Sequence, residues 1–108
     1  LVLCAGREGA FGLDDAYTAG RLLRAALGGR RTRRGLNDAA MVSLDLTRRY
    51  GTRWLRPFML SRAGSNLASL GFGDDVALAA QEDRFPVLPH FIERRIVLAP
   101  APQPEAIG

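Results

Sequence analysis

LVLCAGREGAFGLDDAYTAG, Leu1–Gly20, is the stretch that sets the fold class. Leu1, Val2 and Leu3 form an apolar run, small residues follow, and glycines stand at positions 6, 9 and 12. Beyond them Leu13, Ala16, Gly20, Leu23 and Leu27 recur at helical spacing. A buried strand that passes through a glycine-rich turn into a helix is a common way to build a polar site on an α/β framework. Such a turn presents backbone N–H groups, and the helix start adds partial positive charge, so anions are favoured there. Asp14 and Asp15 fall on the first helical turn, and carboxylates beside an anion-friendly turn suggest a phosphate bridged through a divalent metal.

Outward from that stretch, the pattern predicts a strand over Leu1–Ala5, a turn over Gly6–Gly12 and a helix over Leu13–Leu27 stopped by Gly28 and Gly29. Arg21 and Arg24 should lie on the face of that helix away from its apolar stripe. Asn37 is an N-cap for a second helix to Tyr50 with Val42, Leu46 and Tyr50 on one face. A helical stretch over Arg53–Ser61 must place Pro57 in a first turn or a kink, with Trp54, Phe58 and Met59 in the core. Ser61–Leu70 reads as a short helix closed by Gly71 and Phe72 in a Schellman-like ending, and Asp74 or Asp75 should cap another helix to about Gln81. Two strands, Val87–Phe91 and Arg95–Leu98, are joined by a tight turn over Ile92–Arg94, and Pro86 and Pro89 make the first an edge strand. The proline-rich end, residues 100–108, is expected to be a disordered tail.

With 108 residues, 47% hydrophobic and 24% charged, the chain has the make-up of one small globular domain. It does not begin with Met and opens in mid-strand, so it reads as the C-terminal part, residues 1–99, of a longer α/β domain. No apolar run approaches the roughly 20 residues that span a bilayer. A single cysteine, Cys4, excludes an internal disulfide and fits a cytoplasmic location; it reads as a small buried hydrophobe. The net charge of +4 comes from arginine alone. GRRTRRG, Gly29–Gly35, could grip nucleic-acid phosphates, but no aromatic residues interleave its arginines, and a solvated connection is the preferred reading. No nucleic-acid or membrane partner is expected.

The ordered set of motifs resembles the C-terminal half of the 2-phosphosulfolactate phosphatase family. The matching pieces are Cys4-Ala5-Gly6, Gly9, Phe11, Leu13, Asp15 and Ala19-Gly20, then Asn37-Asp38-Ala39, Arg49-Tyr50-Gly51 and Gly64. Leu70-Gly71-Phe72, Asp75, Gln81, Asp83 and Val87 with Pro89 complete them. The resemblance implies a three-layer α/β/α fold with a mixed sheet. It also implies a Mg2+-dependent phosphatase that hydrolyses 2-phosphosulfolactate, or another phosphorylated hydroxy acid, to the free hydroxy acid and phosphate. In methanogens that step belongs to coenzyme M biosynthesis. The family usually has a basic residue, a serine and a glutamate where this chain has Ala10, Gly12 and Asp14, and its N-terminal half has no counterpart here.

Weighed residue by residue, Asp15 is the candidate catalytic group, as a metal ligand or as the residue that orients the attacking water. Its competing role is a cap bonded back to the helix start. Glu8 is a second candidate metal ligand. Gly6, Arg7 and Gly9 are the candidate phosphate-binding residues, against a plain tight turn. Asp14 reads as a surface residue complementing the helix dipole, Asp75 and Asp83 as caps, and His90 as structural. The expected ligands are Mg2+ and a small acidic phosphoester, with a homodimer left open. The alternatives are a non-catalytic anion-binding descendant and, behind it, a basic nucleic-acid module.

Overall fold

The structure, a computed structural model, describes residues 1–99; the expected disordered tail lies outside the described residues. Helix α1 spans Leu13–Leu27, begins at Gly12 in extended conformation and ends at Gly28 with φ 57°. Asp14 and Asp15 sit in its first turn and Arg24 in its last, each complementing the helix dipole. Helix α2 spans Asp38–Tyr50, and the Asn37 side chain accepts a hydrogen bond from the Ala40 amide.

The α1–α2 contact is made from small residues. A Cβ on Gly20 would lie 2.0 Å from the Ser43 carbonyl oxygen, so the two backbones touch there. Gly20 faces Ser43 and Thr47, and these three are buried, as are Ala16 and Ala19 on α1. This corrects the expected α2 face in part: Tyr50 is buried as expected, but Val42 is half exposed, and the close crossing takes Ser43 and Thr47 inside instead. The Thr47 hydroxyl brought inside is matched: it donates to the Leu44 carbonyl and accepts from Arg24 Nε at 2.9 Å.

An aromatic cluster joins the helices below this crossing. Tyr17 is fully buried and meets the rings of Tyr50 and Trp54 edge-on, with centroids 6.1 and 5.1 Å away. Its hydroxyl donates to the Gly51 carbonyl. Arg21, expected on the solvent side, instead lays its guanidinium over Trp54 at 5.8 Å and pairs with Glu82 at 3.2 Å. Its aliphatic stem and flat head suit a packed position better than the periodicity suggested.

Helix α3 spans Leu55–Leu60, with Pro57 buried within its first turn. Trp54 and Phe58 pack edge-on, while Met59 is exposed, contrary to expectation. Ser61 then caps α4, Arg62–Ser69: its hydroxyl accepts from the Gly64 amide and donates to the Phe58 carbonyl. Gly71, at φ 90°, closes α4 in the Schellman pattern, with Phe72 N–H on the Leu67 carbonyl and Gly71 N–H on that of Ala68.

That closure feeds the chain directly into α5, Gly73–Ala79, whose first carbonyl acceptor is Phe72. Asp74 and Asp75 therefore sit inside the first turn, two and three positions past Phe72, which takes the capping position expected for one of them. Strands β1, Pro89–Ile92, and β2, Arg95–Leu98, form an antiparallel hairpin with Pro89 opposite Leu98 and Ile92 opposite Arg95. Glu93 and Arg94, at φ 49° and 62°, make its two-residue turn.

Among the described residues this ribbon is the one sheet, and the arrangement is an α/β fragment without three layers. Leu1–Ala5 is exposed and forms no strand, since a strand exists only by pairing and no described neighbour pairs with it. No helix among the described residues is long and apolar enough to cross a membrane.

Candidate anion site at the glycine turn

The turn before α1 folds into a miniature hairpin. Arg7 and Ala10 exchange both backbone hydrogen bonds, at 3.0 and 2.8 Å, and Glu8 and Gly9 occupy the tip at φ 51° and 76°. Gly6 precedes it at φ 69°, where a Cβ would come within 2.6 Å of the Ala10 carbonyl oxygen. The position therefore requires glycine for both conformation and space.

Asp15 holds this turn to the helix. Its Oδ2 accepts the Gly6 amide at 2.8 Å, nine residues back, and not an amide of its own helix start. The competing capping role thus takes a different form: the carboxylate caps the glycine turn. Gly12 offers no side-chain cap, so the first amides of α1 face the same region uncapped. Cys4 lies exposed, its thiol 3.6 Å from the Asp15 carbonyl oxygen, which corrects the buried strand-end reading.

A cavity of about 190 Å3 lies between the turn, the start of α1 and the start of α4. Gly6, Arg7, Glu8 and Asp15 all line it, so these residues come together. Gly9, at the hairpin tip, is not among the lining residues. Two of the amides expected to cradle an anion are spent inside the protein, Gly6 on Asp15 and Arg7 on Ala10.

Asp14, weighed as a surface residue complementing the helix dipole, lines the cavity as well. One contributor was not anticipated from sequence. The start of α4 forms the far wall with Arg62 and Ala63, held by Arg7 Nη1 donating to the Arg62 carbonyl at 3.3 Å. Ser61 signals a helix start, but nothing in a one-dimensional pattern reports that this start meets a turn 55 residues earlier.

The charges lining the cavity decide what it can hold. Arg7 and Arg62 supply two positive charges, and Glu8, Asp14 and Asp15 three negative ones, a balance of −1. A phosphate dianion alone would be opposed; a divalent cation would reverse the sign and bridge the two. Among the described residues no group of three or more His, Cys, Asp or Glu forms a ready-made metal cage. The donor set still suits Mg2+, which commonly takes one or two carboxylates and fills its remaining positions with water and substrate oxygens.

Residues 1–94 match the protein family described as 2-phosphosulpholactate phosphatase. The chain belongs to the 2-phosphosulfolactate phosphatase family. It is 37% identical over 97 residues to a protein named probable 2-phosphosulfolactate phosphatase from Symbiobacterium thermophilum, covering 90% of this chain and 41% of that one. A protein of the same name from Thermus thermophilus is 39% identical over 88 residues, covering 82% and 36%. A third, from Deinococcus radiodurans, is 34% identical over 93 residues, covering 84% and 37%. The chain thus spans about two fifths of the length of these family members. No solved structure matches it.

Proposed function

We propose that this chain carries the metal- and phosphate-facing corner of a Mg2+-dependent phosphatase of this family. The substrate is 2-phosphosulfolactate or a similar small phosphorylated hydroxy acid, and the products are the free hydroxy acid and phosphate. The supporting observation is the cavity whose three carboxylates and two arginines sum to −1, a balance that favours a phosphate only when a divalent cation joins it. For the whole protein we propose the three-layer α/β/α fold with a mixed sheet and a cytoplasmic location.

Asp15 would hold the metal through Oδ1, the oxygen not occupied by Gly6, with Glu8 as the second carboxylate. When bound, Mg2+ supplies neutralisation of the phosphoryl oxygens. Arg7, its position set by the Arg62 carbonyl, grips a phosphate or sulfonate oxygen with its remaining N–H groups. The start of α1 at Leu13 and Asp14, which lines the cavity and has no side-chain cap, would add backbone donors. Alternatively, Asp15 would orient the attacking water through that same free oxygen, its carboxylate being positioned by the Gly6 bond.

Phosphate release from 2-phosphosulfolactate by the full-length protein, with and without Mg2+, tests this reading beside an Asp15→Asn variant. Mg2+-dependent turnover in wild type, lowered about a hundredfold or more in the variant, is the expected result. Absence of turnover on this substrate and on a panel of phosphorylated hydroxy acids, by folded protein supplied with Mg2+, would reject it. The side-chain-poor Ala10 and Gly12 would then favour a non-catalytic anion binder.

A further inference from the structure

At the far end of α1 a larger cavity, about 590 Å3, opens between the last turn of that helix, the basic loop and one face of α2. That volume falls within the range of roughly 300–1,000 Å3 usual for small-molecule sites. Arg24, Arg30, Arg31 and Arg33 line it. Arg48 lines it too but is paired with Asp45 at 3.0 Å, and among the described residues no carboxylate pairs with the other four. All four are exposed and border one concave space.

Local bonds orient this set without exhausting it. Arg24 spends Nε on the Thr47 hydroxyl and Arg30 spends Nε on the Leu27 carbonyl, leaving the terminal nitrogens of both for a ligand. The same Leu27 carbonyl accepts the Arg30 amide, so this carbonyl of the negative end of α1 is covered where an anion would approach. The floor is apolar, formed by Leu27, Leu36, Met41 and Leu44. No aromatic side chain lines the space, so it offers no stacking platform for successive bases of a strand.

We propose that this cavity binds a nucleoside polyphosphate, with the arginines on adjacent phosphates and the apolar floor under the nucleoside. Four arginines without a carboxylate partner around one open cavity suit a compact polyanion, and Arg takes phosphate oxygens two at a time. The site is independent of the Asp15 corner: the helical rise from Asp15 to Leu27 separates them by roughly 18 Å.

Calorimetric titration of the full-length protein with ATP in Mg2+-free buffer tests the proposal, beside R31S/R33S and with tripolyphosphate and a single-stranded oligonucleotide as comparators. Arg31 and Arg33 are exposed and their side chains make no hydrogen bond among the described residues, so the double variant should fold, which circular dichroism checks. The expected result is saturable ATP binding, about tenfold or more weaker in the variant and tighter than that of tripolyphosphate. Lack of saturation up to about 1 mM ATP, or equal binding by the variant, would overturn the proposal. Tripolyphosphate binding as tightly as ATP would remove the nucleoside from it. An oligonucleotide that binds and is not displaced by ATP would assign the arginines to nucleic acid instead.

Discussion

Asp15 performs two tasks with one carboxylate, since one oxygen fixes the Gly6 amide and the other is left for a ligand. Asparagine can keep the first task and lose the charge needed for the second; alanine loses both. We expect Asp15→Asn to lose activity while holding its melting temperature. Asp15→Ala should lose activity and about 1 kcal/mol of stability as well, measured by urea denaturation. Tyr17 gives a separate test by pH. Burial raises its hydroxyl pKa, against the lowering influence of Arg21 and with a further raising contribution from Glu82. Because the folded-state value lies above that of the unfolded chain, the contribution is full below about pH 10 and is lost as pH rises through the folded value. Tyr17→Phe should cost about 1 kcal/mol near neutrality and flatten the loss of stability above pH 10, read from denaturant midpoints across pH. At this scale residue chemistry was legible where the partner was near in sequence: the helix-ending glycines, the Asn37 cap and the acidic first turn of α1 announced themselves. Arg62 was not, because its role depends on where a later helix lands.

The α1–α2 pair shows how far an element can be read from its own periodicity. Its boundaries were legible, because Gly28 and Asn37 act on the backbone locally. Its buried face was legible only in part: Tyr50 is buried as its spacing indicated, but Val42 is half exposed, because the contact is decided by how close the backbones come. A sequence pattern weighs each side chain alone; the fit of Gly20 against Ser43 is a property of the pair. Gly20→Ala should therefore destabilise the chain by about 1–3 kcal/mol in urea titration, despite the roughly 1 kcal/mol that alanine gains in helix propensity. An unchanged midpoint would mean that the helices slide apart at no cost. The failure of the Leu1–Ala5 strand follows the same logic, since pairing needs a second strand and its exposed residues have none among those described.

Across the molecule, much of the apolar surface has no cover. Leu3, Phe11, Phe91 and Ile96 are between 74% and 84% exposed, and among the described residues the buried hydrophobic core is Ala16, Tyr17, Ala19, Tyr50 and Val76. The three-layer arrangement implied by the resemblance could not emerge from these residues, which hold one two-stranded sheet. The helices pack in a chain of contacts, α1 on α2, α3 and α4, then α4 on α5, whereas β1 and β2 pack on each other. A lone two-stranded ribbon is marginal in water. Melting of this 108-residue chain should consequently occur in more than one step. The amides of His90 and Val97 should exchange with solvent almost unprotected, while those in the middle of α1 and α2 are slowed by orders of magnitude. Coincident protection in both regions would show the ribbon anchored to the helices. Otherwise the van't Hoff enthalpy of the helical transition will fall short of the calorimetric total, and no single melting temperature will describe the whole chain.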